Sequence, residues 1–281
     1  MQGGNSLKQK KTGLLTLPSI GWLLAFTVLP LVIMLFYSFQ SDSGAGFTLE
    51  NYIHFFSKSM YLKLTWRSIR NALLVTVFSL LIAYPLAYII AKKLKRYQGV
   101  LLVLVIIPFF TNQLVRIYSW LVFLQDGGVL DRLLTALGLT GGDGLGVLYT
   151  QAAVIIALVH AYFPYAVITI YMALERMDDA MLEASAILGA SSVTTFRRVI
   201  FPASMPGVVS GILIVFVPCL GAFVEPRILG GTNGTVIGTV IEDQFTELYG
   251  WNFGSAIAFL LLALVIVSMM AISWWGRRYD T

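Results

Sequence analysis

Glu225 is the only acidic residue inside or at the edge of the long apolar segments of this sequence. An ionisable side chain in apolar surroundings is costly, so a functional role is the first hypothesis for it. A carboxylate attracts a cation, and aromatic rings add cation–π contacts of about 0.5–2 kcal/mol each. Aromatic residues of neighbouring apolar segments could contribute, namely Tyr118, Trp120, Tyr162 and Tyr165. Alternatively, Glu225 forms a structural ion pair with Arg227 or Arg116, and the rings anchor helix ends at a membrane interface.

A second feature is the polar segment from Glu175 to about Ser204, which separates two apolar stretches. Asp178 and Asp179 precede a helical pattern, as acidic residues do in the first turn of a helix. Gly189 interrupts this pattern, so a sharp bend is expected there. Apolar residues of the first helix could enter a groove on a partner; they are Met181, Leu182 and Ile187.

A second short helix is predicted after the bend. Ser191 or Ser192 can cap its start, and Pro202 and Pro206 are expected to stop it. The pattern thus indicates two short helices that meet at a glycine. The alternative is a hairpin that only covers one end of a helix bundle.

Catalytic and metal sites lack the residues that they need. The Gly141–Gly144 run has no lysine, so no phosphate-binding loop of the form G-x-x-x-x-G-K-[ST] is present. His54 and His160 stand alone, without the spacing of metal ligands. No catalytic residue, no metal site and no ATP hydrolysis by this chain are expected.

The elements that position these residues follow from the spacing of charges. Of 281 residues, 58% are hydrophobic and 12% are charged, and this excludes a soluble or disordered protein. Six charge-poor runs are each long enough for a helix to cross a hydrocarbon layer of about 30 Å. We predict an all-α integral membrane protein with one transmembrane domain, residues 1–281. Its six helices are expected near residues 17–39, 70–91, 100–124, 149–174, 205–228 and 253–275.

The distribution of Lys and Arg predicts the orientation of these helices. One side of the membrane would hold twelve of these residues and the other side five. The loop Lys92–Arg96 alone carries four positive charges and no acid. Both termini and the 175–204 segment are therefore expected in the cytoplasm.

The 175–204 segment resembles the cytoplasmic loop of permease subunits in ATP-binding-cassette (ABC) importers. That loop reads E-A-A, three residues, G, nine residues, I, one residue, L-P. The matching positions here are Glu183, Ala184, Ser185, Gly189, Val199, Phe201 and Pro202. Three of them depart conservatively from the pattern, namely Ser185 in place of Ala, Val199 in place of Ile and Phe201 in place of Leu. The spacing is retained throughout.

This resemblance implies a multi-pass permease of the bacterial inner membrane with the type I importer fold. The first helix of the loop would be a coupling helix that docks into a cleft of an ATPase subunit. The implied partners are a second homologous permease, two ATPase subunits that use ATP and Mg, an extracytoplasmic substrate-binding protein and the lipid bilayer. Neither a cofactor on this chain nor a nucleic acid partner is expected.

Further stretches resemble spermidine/putrescine importers, and within them the first of the two permeases. The stretches are IIPFFTNQLVRIYSW (106–120), AVIIALVHAYFPYAV (153–167), SMPG (204–207) and the glycine pattern of 229–238. A polyamine cargo is implied, with Glu225 and the four aromatic residues along its path. Two alternatives stay open. One is an ABC importer of an amino-acid derivative, an opine or an organic anion, which Arg116 and Arg227 would favour. The other is an ATP-independent channel or secondary transporter.

Overall fold

The protein is described by a computed structural model that covers residues 18–41, 46–140 and 144–277. Outside these ranges lie both chain ends, with Leu17 of the first predicted span, and the Gly141–Asp143 run. The described residues form helices and no β-strand, apart from one isolated bridge between Gln40 and Phe47. In chain order the helices are α1 (Pro18–Ser38), α2 (Glu50–Ser57), α3 (Ser59–Lys93), α4 (Lys95–Phe110), α5 (Gln113–Leu124), α6 (Val129–Ala136), α7 (Gln151–Glu175), α8 (Asp179–Ile187), α9 (Ser192–Leu220), α10 (Val224–Gly230), α11 (Ile237–Thr246) and α12 (Trp251–Gly276). The predicted all-α class is confirmed.

Five helices of the described chain are long and apolar enough to cross a membrane, and they are α1, α3, α7, α9 and α12. The third predicted span, 100–124, is wrong as a single helix, because α4 and the following helices are bent by 89°. Pro108 lies in a 3₁₀ turn before the bend, and Thr111 is extended. Asn112 then starts a new helix by accepting a hydrogen bond from the Leu114 amide at 2.8 Å. Counted as one broken span, this pair gives six crossings.

The fifth span also differs from its prediction of 205–228. It begins at Ser192 and ends at Leu220, and Val224–Gly230 is a separate helix. Pro202 and Pro206 do not stop the helix, contrary to expectation. A π-turn over Phe196–Ile200 precedes Pro202, which therefore lies in the first turn of the next α-helical stretch, where a missing amide hydrogen is tolerated.

The chain divides into two compact units, and the larger comprises residues 59–242 and 261–281. Its core lies between α3, α7 and α9. At one end Asn71 Nδ2 donates to Gln151 Oε1 at 2.6 Å, and at the other Lys92 Nζ donates to the Met177 carbonyl at 2.7 Å. Helices α3 and α7 therefore run parallel, so the chain between them must return across the bundle. The bent α4–α6 segment makes this return.

Close packing of α7 against α9 depends on Gly207. A Cβ at this position would lie 2.6 Å from both Ala173 Cβ and the Thr169 carbonyl oxygen. Small residues allow two membrane helices to approach until their backbones touch. Gly207 therefore sets the separation of α7 and α9.

The smaller unit comprises residues 1–58 and 243–260. Asn51 Nδ2 of α2 donates to the carbonyls of Ser38 at 3.2 Å and Gln40 at 3.0 Å. Tyr52 OH donates to Ser38 Oγ at 2.8 Å. The two bonds from Asn51 satisfy carbonyls at the end of α1, and all three bonds hold α2 beside that end.

Candidate functional site

The predicted coupling helix is α8, and it starts where the acidic pair indicated. Asp178 is the N-cap residue, and its Oδ1 accepts a hydrogen bond from the Ala180 amide at 2.9 Å. Asp179 is the first helical residue. Both carboxylates thus lie at the end of the helix where the backbone dipole favours negative charge.

The glycine bend that ends α8 is a Schellman motif. Gly189 has φ +73°, a left-handed conformation that glycine adopts without steric cost. The Ala190 amide donates to the Ser185 carbonyl, and the Gly189 amide donates to the Ala186 carbonyl, both at 3.0 Å. The backbone conformation itself thus favours glycine at position 189.

Ser185, which replaces the second Ala of the E-A-A pattern, is buried and makes contacts that alanine could not make. Its Oγ donates to the Leu182 carbonyl at 2.7 Å and lies 3.1 Å from Thr195 Oγ1. The second bond joins α8 to the start of α9. This departure from the pattern therefore stabilises the bend.

The outer face of the bend is apolar. Ile187 is 86% exposed and Leu188 85%, and Met181 and Val193 of the same segment are also exposed. Leu182, also expected on the partner-facing surface, is partly buried and packs against the core of the larger unit. Glu183 and Ala184 are exposed.

The remaining positions of the pattern lie at the π-turn of α9, where Val199 and Pro202 are partly buried. The rings of Phe201 and Phe196 are 6.0 Å apart, and both lie about Tyr84 of α3, at 6.1 and 5.7 Å. Tyr84 OH also lies 2.8 Å from Ser204 Oγ. Phe201 thus connects the coupling segment to α3.

A contact that sequence reasoning missed joins α8 to the end of α3. Lys92 and Lys95 both pair with the carboxylate of Asp179. The hydrogen bond from Lys95, followed by that from Lys92, lowers the pKa of Asp179 to about 2. In the sequence these lysines indicated only the orientation of the helices, because side-chain partners 84 and 87 positions away leave no local pattern.

The second group of candidate residues surrounds Glu225, at the start of α10. This side chain is 3% exposed, and its Oε1 accepts a hydrogen bond from Gln113 Nε2 at 3.0 Å. Within the described residues Glu225 forms no ion pair, so neither expected partner binds it. Arg227 pairs with Glu242, and the guanidinium of Arg116 lies 4.9 Å from the centre of the Phe109 ring.

Three of the four candidate aromatic residues lie in this part of the larger unit. Tyr162 is within electrostatic range of Glu225, and its ring is 6.4 Å from that of Tyr165. Trp120 Nε1 donates to His160 Nδ1 at 3.2 Å. Tyr118 is 56% exposed, and two residues along a helix it lies on nearly the opposite face from Trp120. The structure does not bring Tyr118 to the group.

Gln113, Phe109 and His160 belong to the group and were not predicted. Phe109 lies 5.3 Å from Tyr165, ring to ring. The sequence offered only a weak indication that Gln113 belongs to this group: it lies three residues before Arg116, on the same face of the helix. In the described part of the chain, no group of three or more His, Cys, Asp or Glu side chains could hold a metal ion.

Comparison with known proteins identifies the family. The family of binding-protein-dependent transport system inner membrane components matches residues 74–280. The spermidine/putrescine transport system permease protein PotB of Haemophilus influenzae is 37% identical over 253 residues, which cover 87% of this chain and 88% of that protein. PotB of Escherichia coli is 36% identical over 264 residues, 92% of this chain and 95% of that protein.

Solved structures share the fold at lower identity. A bacterial ABC transporter that imports the acidic polysaccharide alginate has a TM-score of 0.78 at 19% identity, covering 98% of this chain and 97% of that one. The methionine ABC transporter MetNI, in an inward-facing conformation, has a TM-score of 0.52 at 17% identity, covering 77% and 93%. The type I importer fold predicted from the sequence is confirmed. The chain belongs to the binding-protein-dependent inner membrane components, the non-catalytic permease subunits of ABC importers.

Proposed function

We propose that this chain is one of two permease subunits that together form the translocation pathway of a bacterial importer for a polyamine such as spermidine or putrescine. The observation that carries the proposal is Glu225, a buried carboxylate whose one hydrogen bond within the described part of the chain comes from the side-chain amide of Gln113. The relatives named as spermidine/putrescine permeases support the same cargo.

The buried carboxylate of Glu225 has no cation paired with it among the described residues. Buried charges in proteins are normally paired, because removing an ion from water costs several kcal/mol. One neutral amide donor at 3.0 Å leaves most acceptor sites of this carboxylate unused. A primary ammonium group carries three donors and a full charge, so one end of a polyamine would satisfy it.

The aromatic residues suit the rest of such a molecule. The rings of Phe109 and Tyr165 meet edge to face at 5.3 Å, and Tyr162 lies beside Tyr165. Ring faces attract ammonium groups by cation–π contacts and also pack against methylene chains. We assign Glu225, Tyr162, Tyr165 and Trp120 to the cargo path, and Tyr118 remains a prediction.

The coupling segment supplies the link to ATP hydrolysis. We propose that two ATPase subunits, which use ATP and Mg, bind the α8 bends of this chain and of its homologous partner permease. The exposed apolar surface at Ile187 and Leu188 supports this docking. Glu183, Ala184 and Gly189 form the bend with Ser185, while Val199, Phe201 and Pro202 connect it to the spans. A substrate-binding protein would dock at the other end of the bundle. Both termini of this one transmembrane domain would lie in the cytoplasm, as the distribution of Lys and Arg predicts.

Uptake of labelled spermidine by the complete importer in proteoliposomes tests the cargo assignment. Glu225→Gln removes the charge and should lower uptake at least about tenfold, as expected for one lost partner of a buried charge pair. Glu225→Asp should retain part of the uptake. Glu50→Gln, at an exposed carboxylate, is the control and should transport normally. Wild-type uptake by Glu225→Gln would refute the role of Glu225.

Arg116 favours a second candidate, the same importer with an anionic cargo such as an organic acid, an opine or another amino-acid derivative. Its buried Nη1 has no hydrogen-bond partner among the described residues. Calorimetry of candidate ligands with the substrate-binding protein separates the two, because an anion that binds where every polyamine fails would favour this alternative. Flux without ATPase subunits would instead indicate a channel or secondary transporter.

A further inference from the structure

We infer that Lys92 is a positioning residue of the transport cycle, which fastens the start of α8 to the end of α3 so that movement of the docked helix reaches α3 directly. The inference rests on the proposed docking of α8 to an ATPase subunit. It adds a path through side chains to the covalent path through the flanking helices α7 and α9.

Lys92 forms hydrogen bonds to two residues at the α7–α8 junction. Its Nζ donates to the carbonyl of Met177, between the two helices, at 2.7 Å and to Asp179 Oδ1 in the first turn of α8 at 2.9 Å. The Lys92 side chain is 5% exposed. A displacement of this junction must therefore move Lys92 or leave a buried ammonium group without acceptors.

Leaving the buried ammonium of Lys92 without acceptors is unfavourable. A buried ammonium without partners loses its hydration and gains nothing in return. Lys95 pairs with the other oxygen of Asp179, and its side chain is 53% exposed. The low pKa of Asp179 keeps this carboxylate charged at physiological pH. Lys92 is thus the buried member of the contact, and Lys95 closes it on the solvent side.

The end of α3 has an unusual backbone at this point. Ile89–Lys93 form a π-turn, closed by a bond from the Leu94 amide to the Ile89 carbonyl at 2.9 Å. A π-turn contains an extra residue, so it changes the angular position of the residues around the helix axis. Such turns occur often at functional positions. Here the turn contains the residue that binds α8.

A second attachment lies on the same helix. Tyr84 precedes Lys92 by eight residues, about 12 Å along a helix axis. It contacts Phe196 and Phe201, and its hydroxyl is 2.8 Å from Ser204 Oγ. The coupling segment is therefore attached to α3 both before α8 and after the bend. Two attachments prevent α3 from staying in place while α8 moves.

The test compares transport with ATP hydrolysis in the complete importer in proteoliposomes. Lys92→Met removes the charge at similar length, and Asp179→Asn removes its partner. Each should lower the amount of substrate moved per ATP hydrolysed about tenfold. The double variant should be no worse than either, since both variants break the same Lys92–Asp179 contact. Lys93→Met is the matched control, because Lys93 is exposed and adjacent, and its ratio should equal the wild type.

Two results would overturn the inference. The first is an unchanged ratio in Lys92→Met, including the case in which less complex assembles. The second is additive losses in the double variant. Docking is tested separately by crosslinking Ile187→Cys to the ATPase subunits. Failure to crosslink refutes the proposed docking, whereas crosslinking with a normal ratio in Lys92→Met refutes only the role of Lys92.

Discussion

Gln113 Nε2 of α5 donates to Glu225 Oε1 of α10 at 3.0 Å, and the carboxylate has no ion-pair partner among the described residues. The bond joins the bent third span to the short helix after the fifth. It also places the neutral side-chain amide of Gln113 beside the buried carboxylate of Glu225. A cation introduced at Gln113 would compete directly with a cationic cargo.

Gln113→Lys should therefore lower polyamine uptake at least about tenfold, because the ammonium of the new lysine would pair with the Glu225 carboxylate. Uptake by the assembled importer is the measurement. Gln113→Met, which removes the donor without adding charge, is the control and should lose less. Equal uptake by the Lys and Met variants would contradict competition for Glu225.

Gly189→Ala should weaken binding of the ATPase subunits. No atom lies within 4 Å of a Cβ at this position, so the cost is conformational alone. A left-handed alanine costs about 1 kcal/mol. The unbound bend can relax this strain and must regain it on docking, so we expect an affinity loss of about fivefold. Asparagine tolerates this conformation better, so Gly189→Asn should bind more tightly than Gly189→Ala. Gly99→Ala, also in open space, is the control. If both Gly189 variants bound like the wild type, α8 would not need its bend.

Gly207→Ala should destabilise the permease. The added Cβ would lie 2.6 Å from the Thr169 carbonyl oxygen, a backbone atom that cannot rotate away. Overpacking of this kind costs about 1–3 kcal/mol. Thermal unfolding in detergent should show a lower midpoint than in Gly21→Ala, where no atom lies within 4 Å of the new Cβ. An unchanged unfolding midpoint would mean that α7 and α9 can move apart to accept the added methyl group without loss of stability.

The ion pairs of Asp179 should persist until the solution is strongly acidic. Hydrogen bonds from Lys95 and Lys92 lower the pKa of this carboxylate to about 2, against about 3.9 in an unfolded chain. A lowered pKa gives a stabilisation that is complete above about pH 4 and is lost as the pH falls towards 2. The difference in unfolding midpoint between the wild type and Asp179→Asn should therefore be constant from pH 5 to 8 and shrink below pH 4. A difference that disappears between pH 5 and 7 would contradict this assignment.

The sequence by itself determined the features that depend on neighbouring residues. Charge-free runs located the crossings, because a charge in hydrocarbon is costly wherever the chain folds. Asp178, Asp179 and Gly189 indicated the start and end of α8, since capping and left-handed bends depend on local backbone geometry. The E-A-A pattern could be read for the same reason, because it lies within one short segment, and the family match over residues 74–280 confirms the resemblance.

Tertiary structure decided what depends on residues far apart in the chain. The bend of 89° in the third span could not be read from its apolar composition, because Pro108 and the Asn112 cap act on a helix that hydropathy treats as continuous. The continuity of α9 through Pro202 required the preceding π-turn. Glu225 had nearby candidate partners in Arg227 and Arg116, yet it binds Gln113, 112 positions away. Which polar groups meet inside a membrane is decided by how the helices pack, and a single sequence does not encode that packing locally.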